Sequence, residues 1–166
     1  MNSLANKLNS IRLVAFDVDG VFTDGRFYLS DDGIESKAFN TQDGFGIRQL
    51  LRANISVAVI SGRQSRAVEH RMHELDVPHV VQGCGDKVAA LDNIAEKLGI
   101  TAVECAYVGD DIPDLPVLRH AGFSIAVANA VDAVREECDY TTSASGGCGA
   151  VREACELVLS VRDDSP

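Results

Sequence analysis

The segment "LVAFDVDGVFTDG", residues 13–25, decides the fold. Its first four residues are apolar and lead directly into Asp17 and Asp19, and a third acid, Asp24, follows shortly. A continuous apolar run of this kind is typical of a strand that is covered on both faces of a parallel sheet. Carboxylates crowded at the end of such a strand repel one another and lose hydration, so their presence requires a compensating function.

Later segments repeat the pattern of an apolar run followed by small polar residues. They lie at 55–62, 79–83, 105–111 and 123–128. Amphipathic segments with helical spacing lie between or after them, at 64–75, 86–99 and 149–161. This alternation predicts an α/β fold with a doubly wound, mostly parallel sheet of the Rossmann-like type.

The length of 166 residues fits one domain, so we expect residues 1–166 to form a single unit. Segment 26–39 has two short runs on either side of Asp32-Gly33, which is a hairpin turn signal. It predicts a β-hairpin inserted after the first strand and leaves no room for a cap domain. The glycine-rich approach to the last helix predicts a flexible C-terminal tail over about 143–166, which either folds over an opening or only leads into the helix.

Composition excludes several classes of partner. The net charge of −10 argues against nucleic acid and against anionic membranes. No apolar run is long enough to span a bilayer, and the first twelve residues lack the apolar core of a signal peptide. The five cysteines have no C-x-x-C spacing, which fits reduced thiols. We therefore expect a cytoplasmic protein.

Polar clusters follow four of the predicted strands. They are Asp17, Asp19 and Asp24; Ser61-Gly62-Arg63; Asp86-Lys87; and segment 109–114, "GDDIPD". Each cluster alone is explained as a turn or a helix cap. Because ligands bind outside the carboxyl ends of the strands in doubly wound sheets, four clusters at this edge indicate a functional site.

The chemistry that these residue types suit is phosphoryl transfer. Carboxylates at two strand ends favour a hard cation such as Mg²⁺, which would also relieve their repulsion. One carboxylate can attack phosphorus, and a second, two residues further on, can donate and recover a proton. The hydroxyl of Ser61 and the ammonium of Lys87 would complete the binding of the transferring oxygens.

These motifs resemble those of the haloacid dehalogenase superfamily of phosphohydrolases. "DVDGVFTDG", 17–25, is similar to its first motif, Ser61 to its second, Lys87 to its third and "GDDIPD" to its fourth. The resemblance implies that Asp17 is the nucleophile and Asp19 the general acid and base. Superfamily dehalogenases lack the second Asp of the first motif, so phosphatase activity is implied.

The same resemblance implies a Mg²⁺ site. Its ligands would be the carboxylates of Asp17 and Asp110 and the backbone carbonyl of Asp19. Asp111 and Asp114 would support the metal without binding it directly.

A narrower likeness is to a capless branch of this superfamily, the phosphatases of 3-deoxy-D-manno-octulosonate 8-phosphate (KDO 8-phosphate). It is carried by "DGVFTDG", the hairpin, "KAFNTQDGFGI", "SGR", "YVGDDIPDLPV" and "GGCGAVRE". The resemblance implies hydrolysis of a sugar acid phosphate for lipopolysaccharide. It also implies a homotetramer in which hairpins form a central barrel and neighbours cover one another's active sites.

Substrate contacts follow from this likeness. The candidates for binding the anionic sugar acid are Asp19, Arg63, Lys37 and Arg66. For Lys37 and Arg66 a solvated surface charge is an equally good explanation. Relatives often have Arg where this chain has Cys148, so a substrate role for the tail is in question.

Other functions stay open at this point. A phosphatase for a related nine-carbon sugar acid phosphate fits the same motifs. A signalling receiver domain would carry its phosphorylated Asp in mid-chain, where no such residue ends an apolar run. A non-catalytic oligomerisation module would not need the complete set of motif residues.

Overall fold

The computed structural model describes residues 3–162, which form a six-stranded sheet, a small hairpin and seven α-helices. The strands are β1 (Leu13–Phe16), β2 (Tyr28–Leu29), β3 (Glu35–Ser36), β4 (Ser56–Ile60), β5 (His79–Val81), β6 (Cys105–Gly109), β7 (Phe123–Ala126) and β8 (Tyr140–Thr141). The helices are α1 (Ser3–Asn9), α2 (Thr41–Arg52), α3 (Arg66–Glu74), α4 (Lys87–Leu98), α5 (Leu115–His120), α6 (Asp132–Glu137) and α7 (Ala150–Leu159). None of the helices described is long and apolar enough to cross a membrane.

The main sheet has the strand order β5-β4-β1-β6-β7-β8, and all of its pairings are parallel. Strands β1, β4 and β5 follow one another towards one edge of the sheet, and strands β6, β7 and β8 follow one another towards the other edge. The predicted doubly wound α/β fold is thereby confirmed. The order reverses between β1 and β6, which is where ligands bind in such sheets.

Strand β1 lies between β4 and β6, in the middle of the sheet, and its side chains are covered on both faces. All four of its residues are fully buried, as the continuous apolar run requires. Phe16 lies in register with Val59 of β4 and Val108 of β6. The pairing continues past the strand, since the Asp17 amide donates to the Val108 carbonyl at 3.0 Å. The carboxyl ends of β1, β4 and β6 therefore lie at one level.

Local sequence signals set the ends of α4. The Asp86 carboxylate accepts a hydrogen bond from the Ala89 amide at 3.0 Å, which caps the N-terminus. Gly99 ends the helix in the left-handed conformation, with φ 66°. The cap fixes Lys87 as the first residue of the helix, directly beside the end of β1.

Helices α2 and α7 pack closely at one side of the sheet. A Cβ on Gly46 of α2 would lie 3.1 Å from Arg152 Cα and 3.2 Å from Cys155 Cβ, so a larger residue would push the helices apart. The buried carboxylate of Asp43 in α2 accepts a hydrogen bond from the Arg152 amide at 3.0 Å, in the first turn of α7. These contacts place the residues before α7 over the carboxyl edge of the sheet.

The predicted hairpin region contains β2 and β3, which pair antiparallel across a turn with Gly33 at φ 77°. The predicted tail comprises segment 143–149, helix α7 and residues 160–162, and its last four residues, 163–166, lie outside the described range. Whether residues 1–166 function as a single domain stays a prediction.

The loop after β1 is held by a buried aromatic pair. Val18 O accepts hydrogen bonds from the amides of Val21 and Phe22, and the Phe22 ring packs edge-on against Phe16 with centroids 5.4 Å apart. Phe22 is almost fully buried. The loop that carries Asp19 is thus anchored in the core.

Replacing Phe22 with Ala should lower the free energy of unfolding by about 3–5 kcal/mol, because the ring leaves a cavity between loop and core. Urea denaturation followed by circular dichroism measures this change. The control Val103→Ala removes a side chain that is 69% exposed, so the free energy should change by no more than about 0.5 kcal/mol. Equal losses in both variants would contradict the anchoring role of Phe22.

Candidate active site

A cavity of about 410 Å³ opens at the carboxyl edge of the sheet. The polar clusters from all four predicted strand ends contribute to its lining. Among the residues that line it are Asp17, Asp19, Ser61, Arg63, Lys87 and Asp110. The topology brings them together because each follows the carboxyl end of a neighbouring parallel strand.

A cluster of three carboxylates lies at the floor of this cavity. Asp17, Asp110 and Asp114 each have an oxygen within 4.8 Å of the others. Burial, followed by the charge of Asp114, raises the pKa of Asp17 to about 7. Burial, followed by the charges of Asp17 and Asp114, raises the pKa of Asp110 to about 8. The protein thus concentrates negative charge that its own cations do not neutralise.

Lys87 is the one ammonium within this cluster among the described residues. Its largely buried Nζ lies 2.7 Å from Asp114 Oδ1 and 3.2 Å from Asp17 Oδ1. Burial alone would lower the pKa of Lys87, but the carboxylates of Asp17 and Asp114 outweigh it and the pKa is raised. Lys87 therefore stays charged at the N-terminus of α4, a position that the helix dipole disfavours.

Asp114 is fully occupied by donors from the protein. Its Oδ1 accepts from Lys87, and its Oδ2 accepts from the amides of Asp110 at 3.0 Å and Asp111 at 3.4 Å. The Tyr107 hydroxyl lies beneath it, 3.3 Å from Oδ1, and burial raises the pKa of Tyr107 well above its ordinary value, so it stays a donor. These contacts favour a supporting role for Asp114, which fixes Lys87 and the Asp110 loop.

Gly20 makes room for the carboxylate of Asp110. A Cβ at residue 20 would lie 1.9 Å from Asp110 Oδ2, and the backbone there has φ +84°. Any side chain would displace Asp110 or the loop, so glycine is required on both counts. The crowded carboxylates, together with this cradle, fit a hard divalent cation bound through oxygen, with Asp17 and Asp110 as ligands.

Asp19 lies in different surroundings from Asp17. Its carboxylate is in contact with Lys37 Nζ and lies 3.8 Å from Arg63 Nε. The side chain of Lys37 is fully buried, and that of Arg63 is half exposed at the cavity. Two of the three predicted substrate-binding cations, Lys37 and Arg63, are therefore partners of Asp19.

Glu35 of the hairpin joins this group and was missed at the sequence level. Its carboxylate lies 2.6 Å from Arg63 Nη2 and 3.3 Å from Lys37 Nζ. Burial would raise the pKa of Glu35, but the contacts with the Arg63, Ser65 and Lys37 side chains outweigh it and the pKa is lowered. The available signal was its spacing from Lys37, because residues i and i+2 of a strand share a face.

The remaining predicted residues lie at different depths. Ser61 is buried directly after β4, and its Oγ accepts from the Arg63 amide at 3.3 Å. Asp111 is exposed at the rim and caps the turn that follows by accepting from the Ile112 amide. Arg66 is exposed at the start of α3, does not line the cavity and has no ion pair within residues 3–162.

The tail packs on the loop after β1 through glycines and one asparagine. The Asn129 side chain donates to Gly20 O at 3.1 Å and accepts from the Gly146 amide at 2.6 Å. A Cβ on Gly146 would lie 1.8 Å from Gly20 O, and one on Gly147 would lie 2.7 Å from the Asp24 amide. Asn129 was not identified from the sequence, since its two partners come from distant segments.

The family of haloacid dehalogenase-like hydrolases matches this chain over residues 79–153. The 3-deoxy-D-manno-octulosonate 8-phosphate phosphatase of Salmonella typhimurium is 47% identical over 153 residues, which are 92% of this chain and 81% of that protein. The corresponding phosphatase of Escherichia coli K12 is 46% identical over the same shares of the two chains.

Solved structures show the same similarity. A crystal structure of the 3-deoxy-D-manno-octulosonate 8-phosphate phosphatase of Moraxella catarrhalis, in complex with magnesium ion, phosphate ion and KDO, has a TM-score of 0.95 and 45% identity. The match covers 99% of this chain and 94% of that chain. The cobalt-bound phosphatase of Haemophilus influenzae has a TM-score of 0.90 and 39% identity, over 93% of this chain and 91% of that chain.

The raised pKa values predict how pH affects the metal-free protein. Asp17 and Asp110 titrate near 7 and 8 in the fold but have an ordinary pKa of 3.8. Between about pH 4 and pH 8 the folded state binds more protons than the unfolded state, so stability should fall as pH rises through this window. Asp110→Asn removes one of the crowded charges. In EDTA at pH 8 it should raise Tm by ~3 °C or more over the wild type, and the difference should shrink towards pH 4.

Differential scanning fluorimetry measures these shifts. Adding a divalent cation should stabilise the wild type at pH 8 and leave Asp110→Asn nearly unchanged. A variant that is less stable than the wild type in EDTA at pH 8 would show that carboxylate crowding is not the dominant interaction.

Proposed function

The chain belongs to the family of KDO 8-phosphate phosphatases, which are haloacid dehalogenase-like hydrolases, and on this premise we propose that it hydrolyses KDO 8-phosphate to KDO and inorganic phosphate. KDO is a sugar of lipopolysaccharide, so we place the reaction in lipopolysaccharide biosynthesis. One observation carries the proposal: the side chains of Asp17, Asp19, Ser61, Lys87 and Asp110 line one cavity at the carboxyl edge of the sheet. With a divalent cation bound beside it, Asp17 would stay ionised as the nucleophile, and Asp19, two residues further on, would move the protons.

Asp17 is suited to attack phosphorus. Its Oδ1 accepts from the Val18 amide at 2.7 Å and lies 3.2 Å from Lys87 Nζ, which fixes the carboxylate in one orientation. An Asp17 oxygen forms a bond to phosphorus as the bond to the sugar oxygen breaks. The Ser61 hydroxyl and the Lys87 ammonium hold the phosphoryl oxygens at the cavity floor.

Asp19 moves the protons in both halves of the reaction. It donates a proton to the departing sugar oxygen, which leaves Asp17 phosphorylated. A water then attacks the phosphorus, Asp19 takes its proton, and the bond to Asp17 breaks to release inorganic phosphate. Lys37 and Arg63 hold the Asp19 carboxylate at the wall of the cavity during these steps.

We propose Mg²⁺ as the cofactor, held by the Asp17 and Asp110 carboxylates and the Asp19 backbone carbonyl. Asp111 and Asp114 would support this site from behind. When bound, Mg²⁺ supplies positive charge that offsets the crowded carboxylates and the phosphoryl oxygens. The complex of the Moraxella catarrhalis phosphatase with magnesium ion, phosphate ion and KDO supports this assignment.

Arg63 is the best-placed residue to bind the carboxylate of the sugar acid, because its half-exposed guanidinium lies at the cavity beside Asp19. Lys37 is fully buried behind Asp19 and contributes its charge from there. Substrate binding by Arg66 stays a prediction. We further propose that residues 1–166 act as one phosphatase domain in the cytoplasm, where the five unpaired cysteines would stay reduced.

We also propose a homotetramer assembled through the hairpin. Tyr28, Leu29 and Ile34 are 74%, 65% and 66% exposed, and Phe27 is 39% exposed. An apolar hairpin of this kind, exposed in one chain, favours burial against copies of itself. Such an assembly would bring a neighbouring subunit to the open cavity and exclude water from it.

A substrate panel tests the proposed reaction. The wild type should release inorganic phosphate from KDO 8-phosphate in the presence of Mg²⁺, with a higher kcat/KM than from nine-carbon sugar acid phosphates. Asp17→Asn should lower kcat by at least ~1,000-fold, because the nucleophile is lost, with the circular dichroism spectrum unchanged. A higher kcat/KM on a nine-carbon substrate would replace the proposed substrate, and substantial activity of Asp17→Asn would exclude the mechanism.

The exposed apolar side chains of the hairpin predict a tetramer in solution. Light scattering after size exclusion should give four times the chain mass of 17.7 kDa for the wild type. The double variant Leu29→Lys/Ile34→Lys should lower this mass, because four lysines from each pair of hairpins would repel. The matched control Val103→Lys, at an exposed apolar residue outside the hairpin, should keep the wild-type mass. A wild type that elutes as a monomer would refute the assembly.

A further inference from the structure

Four side chains of alternating charge form a closed ring beside the cavity. Asp19 contacts Lys37, Lys37 Nζ lies 3.3 Å from Glu35 Oε1, Glu35 Oε2 lies 2.6 Å from Arg63 Nη2, and Arg63 Nε lies 3.8 Å from Asp19 Oδ2. Each charge has an opposite charge on either side. The ring joins the hairpin, which supplies Glu35 and Lys37, to the loops after β1 and β4.

Three members of the ring are shielded from water, and Arg63 is half exposed. The Lys37 side chain is completely buried, and those of Glu35 and Asp19 are 17% and 22% exposed. The Phe27 ring covers both cations, with its centroid 5.5 Å from Lys37 Nζ and 4.3 Å from Arg63 Cζ. The contacts of the buried Lys37 are therefore stronger than surface ion pairs, and the loss of one member of the ring would change the position of the others.

Glu35 decides how strongly the two cations hold Asp19. With Glu35 present, Lys37 and Arg63 are each shared between two carboxylates. Without its charge both cations would have only Asp19 as a close acidic partner, and Arg63 would be released from the hairpin. The Asp19 carboxylate would then be drawn towards the cations and away from the cavity. Proton transfer depends steeply on the position of the transferring group.

We propose that Glu35 is a positioning residue of the phosphatase reaction, which acts through Lys37 and Arg63 to hold the Asp19 carboxylate at the cavity. This inference rests on the proposed function, since it assumes that Asp19 takes the proton from the attacking water. Glu35 itself does not line the cavity and does not touch the reacting atoms.

An aryl phosphate separates the two halves of the reaction. With p-nitrophenyl phosphate, an Asp17 oxygen bonds to phosphorus and p-nitrophenolate leaves as a stable anion, so this step needs no proton from Asp19. In the second step a water oxygen bonds to phosphorus, its proton passes to Asp19, and the bond to Asp17 breaks. A misplaced Asp19 therefore slows the second step alone, and phosphorylated Asp17 accumulates.

Stopped-flow measurement of p-nitrophenolate in Mg²⁺ tests this inference with Glu35→Gln. We expect a burst of one equivalent per subunit at close to the wild-type rate, followed by a steady state at least ~10-fold slower than in the wild type. Lys37→Met should behave in the same way, and Glu35→Gln/Lys37→Met should be no slower than the slower single variant, because the two act as one unit.

A matched control comes from an ion pair outside the cavity. Glu137 forms an exposed pair with Arg119, so Glu137→Gln removes the same charge without touching the ring. It should leave both phases unchanged. Thermal melting shows whether each variant is folded. The ratio of the burst rate to the steady-state rate is then compared between the wild type and those variants that are folded.

The outcomes separate this inference from the proposed function. An unchanged steady state in Glu35→Gln, or equal slowing of burst and steady state, would overturn the positioning role. A wild type that hydrolyses p-nitrophenyl phosphate but not KDO 8-phosphate would overturn the proposed substrate and leave the test of Glu35 intact. A wild type that hydrolyses neither ester would overturn both.

Discussion

The repulsion between carboxylates at the ends of β1 and β6 is the constraint on which the rest of the site depends. Parallel pairing places Asp17 and Asp110 at the same edge of the sheet, and Gly20 lacks the side chain that would displace the Asp110 carboxylate. Lys87 and the donors on Asp114 offset only part of this charge, because the pKa values of Asp17 and Asp110 remain raised. The fold therefore keeps Asp17 and Asp110 in mutual repulsion, which a bound divalent cation would relieve.

The two carboxylates of the first motif are kept apart electrostatically although they are close in sequence. Asp17 belongs to the sheet edge and shares Lys87 with Asp114, whereas Asp19 belongs to the ring that the hairpin completes. The hairpin thus contributes to the proposed chemistry, since its buried Lys37 contacts Asp19 and its Glu35 contacts Lys37 and Arg63.

The sequence predicts the fold well because the buried strands are continuous apolar runs. The strands follow these runs: in segment 105–111 the strand is Cys105–Gly109, and Asp110 and Asp111 form the polar turn that follows, as the pattern predicts. The candidate site residues that follow strands lie in one cavity, as expected from the topology. Glu35 and Asn129 escaped prediction because their partners come from other segments, and their roles depend on how the hairpin and the tail fold back.

The Tyr107 hydroxyl lies beneath Asp114, so the ultraviolet absorption of this tyrosine reports on the carboxylate cluster. The chain has no tryptophan and three tyrosines, so its near-ultraviolet signal comes from tyrosine without a stronger indole emission to mask it. Tyr28 lies on the exposed hairpin, Tyr140 donates to Glu153 of α7 at 2.9 Å, and Tyr107 is buried under the acidic cluster. Difference absorption of unlabelled protein can therefore follow the hairpin, the tail and the carboxylate cluster separately, once each tyrosine is replaced in turn by phenylalanine.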